Sequence, residues 1–145
     1  MEKDIIVIIR GINDSEEEDS EIVETTCLGT YYCKNNKEYI VYTEYMDQKE
    51  GTNPTRSTVR IDSDQVVLSR AGDISGQMVF SLGRNHLVYY ETPFGMMEIR
   101  ILTKKLNIDR EEHRMALRIE YEMVINDQPR GMQTVDIQIY DRFCQ

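Results

Sequence analysis

The 145-residue chain has no tryptophan, two histidines and three cysteines, and its basic residues are outnumbered by acidic ones, 17 against 26. Each shortage excludes something. His86 and His113 are separated by a long hairpin, with no cysteine or carboxylate at metal-ligand spacing beside either. His86 reads as a strand-end residue and His113 as part of a charged surface turn. Cys27 and Cys33 are six positions apart in one strand candidate, which sets them roughly 20 Å apart at the strand rise. That distance forbids a mutual disulfide or a shared metal. With Cys144 near the end the count is odd, and reduced thiols in a cytoplasmic protein are the expectation. There is no Gly-x-Ser-x-Gly elbow, phosphate loop or paired-cysteine motif. No catalytic residue, cofactor or metal is therefore assigned. A base role for Glu44 beside a tyrosine has no substrate to support it.

The net charge of −9 opposes nonspecific attraction to nucleic acid or anionic lipid, which need clustered Lys and Arg. Tyr31 and Tyr32 near Arg56 and Arg60 offer a stacking surface for single strands, but the scattered basic residues argue against it. Long apolar runs are also missing. Ile5 to Ile9 is too short for a secretory signal or a membrane span, and Asp4 interrupts its start. No nucleic-acid or membrane partner is expected. Asn13 to Glu21 carries six carboxylates and reads as a solvated loop whose like charges repel. Its spacing fails the calcium-loop pattern.

What the chain does have is alternation. Val135, Ile137 and Ile139 alternate with Asp136, Gln138 and Tyr140, and Leu117, Ile119, Tyr121 and Met123 with Arg118, Glu120 and Glu122. Successive side chains of a strand point to opposite faces, so a period of two marks half-buried strands. Ile5 to Ile9 reads as a strand buried on both sides or lying at a barrel seam. Ile22–Lys34 and Glu38–Met46 form a hairpin about Asn35-Asn36, because Asn tolerates the positive φ of a two-residue turn. Tyr32 then faces Tyr39, Tyr31 faces Ile40, and Gly29 faces Tyr42. One face carries Val23, Cys27, Tyr31, Ile40, Tyr42, Glu44 and Met46; the other carries Ile22, Leu28, Tyr32, Tyr39, Val41 and Tyr45. Pattern alone leaves the choice open, and we take the first as inward.

Arg56–Asp62 and Gln65–Ala71 turn at Ser63-Asp64, with Val59, Ile61, Val66, Leu68 and then Arg70 facing inward. Met78, Phe80 and Leu82 share a face of the following strand. His86–Thr92 pairs with Gly95–Asn107 across Pro93-Phe94, which places Val88 and Tyr90 with Met97, Ile99, Ile101 and Thr103. Asp109 to His113 is a charged turn, although a helix over Arg110–Leu117 is an alternative. Arg114–Ile125 and Gly131–Asp141 meet across Asn126 to Arg130. The reading is all-β: an antiparallel up-and-down β-barrel of about eight to ten strands, closed on itself to remove unpaired edges. It is expected to be one domain over residues 1–145.

The sequence also resembles the YwiB-like proteins of bacteria, a domain of unknown function. The resemblance rests on Gly29-Thr30-Tyr31-Tyr32, Asn36-Lys37, Tyr39, Tyr42, Glu44, Arg70 with Gly72, Tyr90 with Phe94-Gly95, Thr103, and Tyr121 with Met123. It implies a calycin- or lipocalin-like barrel in a cytoplasmic bacterial protein. It supplies no activity and no catalytic residues. The acidic loop and the Gln48–Thr55 loop lie outside it.

Polar residues on inward faces are the functional clue: Arg70, Glu44, Tyr42, Tyr90, Thr103 and Tyr121. A buried charge is costly unless paired and hydrogen-bonded. Either these groups satisfy one another in a filled barrel, or they meet the head of an amphipathic small molecule whose tail lies against Met46, Met78, Met97 and Met123. We expect the second: a noncatalytic binding module in which Arg70, Glu44 and Tyr90 orient the head. The alternative is a protein-interaction module with a filled interior. Oligomeric state is not legible.

Overall fold

The structure is a computed structural model and describes residues 2–14, 21–44, 55–72 and 75–142. Ten strands follow in chain order: β1 (Lys3–Asp14), β2 (Glu21–Lys34), β3 (Lys37–Glu44), β4 (Thr55–Ile61), β5 (Val66–Ala71), β6 (Gly76–Phe80), β7 (Asn85–Thr92), β8 (Gly95–Arg110), β9 (Arg114–Ile125) and β10 (Gln128–Asp141). No helix occurs among the described residues, so the alternation after Met115 prevails over the helical reading of Arg110–Leu117. The strands form one antiparallel sheet in the order β6-β5-β4-β3-β2-β1-β10-β9-β8-β7. β1 pairs with β10 from Ile5↔Asp141 to Asp14↔Met132. The two ends of the meander thus meet, and β1 occupies the seam that its unbroken β-branched run suggests.

The gap in this nearly closed, calycin-like barrel lies between β6 and β7. They share one isolated bridge, Ser75↔Glu91. There the Ser75 amide donates to the Glu91 carbonyl (2.9 Å) and the Glu91 amide to the Ser75 carbonyl (2.8 Å). The Tyr90 ring lies so close to Gly76 that a Cβ at position 76 would collide with it.

Turn chemistry sets the register. Asn35 and Asn36 have φ of 54° and 64°, and β2 and β3 pair as Tyr32↔Tyr39, Tyr31↔Ile40 and Gly29↔Tyr42. Asn126 and Asp127 make a second left-handed pair, with φ of 48° and 63°. This tight turn lets β10 start at Gln128 instead of Gly131, with an irregularity between Pro129 and Gly131. Ile5, Val7, Ile40, Val59, Phe80, Ile101, Leu117 and Ile137 are almost fully buried. Each such side chain contributes about 1.5–3 kcal/mol of transfer free energy.

Several expectations need correction. Leu82 lies beyond the end of β6 and is exposed, so it leaves the inner face of Met78 and Phe80. Val23 has the inward parity of Cys27 but sits near the end of its strand, where it is 58% exposed. Ile6 and Ile8 are only half-buried on the exterior, whereas Ile5 and Val7 fill the interior. β8 continues through Asp109 and Arg110 before the turn at 111–113. β1 and β2 reach Asp14 and Glu21, so both ends of the acidic segment belong to strands. Residues 15–20 and 45–54 lie outside the described residues, as does Met46.

Candidate functional site

Register builds a polar row inside one end of the barrel. Gly29 faces Tyr42, Tyr42 faces Ser57, Ser57 faces Arg70, and Arg70 faces Gly76. The Tyr90 ring packs over Gly76 and extends the row across the gap. Large and small residues alternate along it, so the long side chains of Tyr42, Arg70 and Tyr90 fit where glycine or serine leaves room. Beside this row Glu44 faces Thr55. Thr103 faces Tyr121 across β8 and β9.

Most of this cluster is well buried: Tyr42 is 2% exposed, Tyr90 3% and Glu44 6%, whereas the Arg70 side chain is 25% exposed with its Nε buried. Arg70 Nε lies 3.9 Å from Glu44 Oε2, ion-pair range but longer than a hydrogen bond. Both atoms are buried without a hydrogen-bond partner, as are Thr55 Oγ1, Tyr90 Oη and Thr103 Oγ1. Such atoms each cost roughly 1–3 kcal/mol when left unmet, so this is where the barrel interior is least satisfied. The structure thus gathers Glu44, Arg70, Tyr42 and Tyr90 in one cluster. Tyr121 joins it through electrostatic coupling to Tyr90 and Arg70. Thr103 is fully buried opposite Tyr121.

Burial raises every phenol here. It pushes Tyr121 up to about 12, with Tyr90 adding to the effect and Arg70 opposing it. Tyr42 and Tyr90 are raised by the same cause, Glu44 reinforcing and Arg70 opposing. The Cys27 thiol is raised by burial and then by Glu44, the opposite of what activates a thiolate nucleophile. Neutral phenols, a neutral thiol and one ion pair equip the cluster to hold a polar group by hydrogen bonds.

A pocket of about 240 Å³ adjoins it, lined by Gly11, Val23, Tyr121, Gln133 and Val135 among others. Tyr121 links pocket and cluster: it lines the first and couples to the second. Of the methionines assigned to a ligand tail, Met78 is buried, while Met97 and Met123 are half-buried against the core; none of the three lines this pocket. A smaller pocket of about 110 Å³ lies at the opposite end among Lys3, Tyr31, Glu38 and Arg110. There Arg110 Nη2 pairs with Glu38 Oε1 at 2.9 Å, while Glu38 Oε2 is buried without a hydrogen-bond partner.

Thr55, Ser57 and Gly76 were missed as members of the cluster. The signal was available for Ser57, since a hairpin turning at Ser63-Asp64 places it opposite Arg70. Gly76 had none, because its role depends on a ring from a strand it does not pair with.

The family model described as a domain of unknown function (DUF1934) matches residues 7–137. The chain is 26% identical over 117 residues to the uncharacterized beta-barrel protein YwiB of Bacillus subtilis (strain 168), covering 81% of this chain and 80% of that protein. Its fold is similar to the crystal structure of the ywiB protein from Bacillus subtilis, with a TM-score of 0.82 at 22% identity, covering 97% of this chain and 92% of that one.

Proposed function

This chain belongs to the family described as a domain of unknown function (DUF1934), and we propose that it is a noncatalytic binding module for an amphipathic or apolar small molecule. The ligand's tail enters the pocket at Tyr121, and Arg70, Glu44 and Tyr90 orient its head. One observation carries this reading: buried, unpartnered polar atoms on Glu44, Thr55, Arg70 and Tyr90 converge in one part of an otherwise apolar interior. Apolar pockets with a few convergent polar groups are the usual form of small-molecule sites. The free thiols Cys27 and Cys33 support a cytoplasmic setting. Native mass spectrometry of the protein purified from its own host tests the reading. The expected result is a bound small molecule that is lost in Arg70→Ala. A ligand-free wild type across host extracts counts against it.

A second reading, an interaction module, has its own observation. Leu87, Tyr89, Phe94 and Met96 are exposed together on the β7–β8 hairpin, and clustered apolar exposure marks association surfaces. Glu98 faces Tyr89 and Arg100 faces Leu87, so opposite charges lie two residues apart on the outer face. A second copy related by a two-fold axis would set Glu98 of each chain against Arg100 of the other. Sedimentation velocity across a concentration series decides: a dimer dissociated by Tyr89→Asp supports this surface, and a monomer throughout removes it.

A further inference from the structure

We propose that the head group held by Glu44 and Arg70 is uncharged and both donates and accepts hydrogen bonds, as an alcohol or a primary carboxamide does. The inference rests on the binding-module reading above and adds the chemistry of the ligand. Arg70 Nε–H can only donate and Glu44 Oε2, as a carboxylate, can only accept. They stand 3.9 Å apart, each buried and unpartnered. A single neutral group lying against both can accept from the first and donate to the second. The remaining unpartnered groups nearby, on Thr55, Ser57 and Tyr90, are hydroxyls that serve in either sense.

Charged heads fit less well. One carboxylate and one guanidinium give the cluster no net formal charge. A ligand carboxylate would satisfy Arg70 but sit against Glu44, and like charges at that range are strongly unfavourable out of water. A ligand ammonium would satisfy Glu44 and meet Arg70 in the same way. A zwitterion would have to part an ion pair already formed. Tyr121 lines the pocket, which neither Glu44 nor Arg70 does, and lies within electrostatic range of Arg70 and Tyr90, so the head's route to the ion pair passes this ring.

Four probes with one tail test this: octanamide, octan-1-ol, octanoate and octylammonium, titrated into the purified protein at neutral pH and followed by amide chemical shifts. Octanamide or octan-1-ol is expected to bind at least tenfold more tightly than either charged probe. In Glu44→Gln, octanoate should gain at least tenfold relative to octanamide. In Arg70→Gln, octylammonium should gain relative to octanamide, and this second variant serves where the first does not fold. Octanoate binding the wild type as tightly as octanamide overturns the head-group assignment and leaves the binding module standing. Binding of none of the four overturns the module itself.

Discussion

Gly29→Ala isolates the close approach on which the row around Tyr42 depends. A Cβ at position 29 would lie 2.5 Å from the Val41 carbonyl oxygen, 3.2 Å from Tyr42 Cβ and 3.3 Å from Val7 Cγ2. The nearest atom is backbone, held in the β2–β3 ladder, so no flexible side-chain end can yield. Either β2 moves off β3 or Tyr42 is displaced together with the strand that carries it. Overpacking of this kind costs about 1–3 kcal/mol. In a domain of this size each kcal/mol lowers the melting temperature by roughly 2–4 °C, so a fall of roughly 2–12 °C is expected. Gly11→Ala is the matched control. It changes the neighbouring strand, also inside the barrel, at a position where a Cβ would meet nothing within 4 Å and φ is not positive. Replacing glycine at a compatible strand position is neutral or stabilising, by up to about 1 kcal/mol. Thermal melts followed by circular dichroism measure both. Equal melting of Gly29→Ala and wild type, or an equal loss in the two variants, would refute the reasoning.

Two further outcomes follow from the same geometry. Tyr121 keeps its proton in the folded state up to about 12, against about 10 unfolded, so the folded form binds more protons between those values. That contributes about 3 kcal/mol which is fully present below pH 10 and lost as the pH climbs through 12; urea midpoints should fall over that window, less steeply in Tyr121→Phe, and parallel curves would contradict the assignment. Asn36→Pro should lower the melting temperature because proline cannot adopt the φ of 64° found there, whereas Asn36→Gly should hold or raise it.

Most of the barrel was legible because its determinants are local. A period of two fixes which residues share a face, and Asn35-Asn36 or Ser63-Asp64 fix which residues meet. From those two rules come the pairings Gly29↔Tyr42 and Val59↔Leu68, and the inward placement of Arg70 and Tyr90; they left open the inner face of the first hairpin, and with it the side on which Glu44 lies. The β6–β7 gap was not legible. There the Tyr90 ring lies over Gly76, a contact between side chain and backbone that no local pattern encodes. Exposure at strand ends escaped for a related reason: alternation gives Val23 and Leu82 a direction but not the point at which the enclosure stops. The ion pair of Glu44 and Arg70 needed three strands in register at once. Sequence placed Arg70 inward without fixing the 3.9 Å between it and Glu44.

Crystallography of the protein purified from its own host tests the binding site most directly. Non-protein density is predicted beside the Arg70–Glu44 pair, against both Arg70 Nε and Glu44 Oε2, continuing past Tyr121 into the pocket beside Gly11 and Val135. A direct hydrogen bond between Arg70 and Glu44, with the space beside Tyr121 filled by protein side chains, would contradict it.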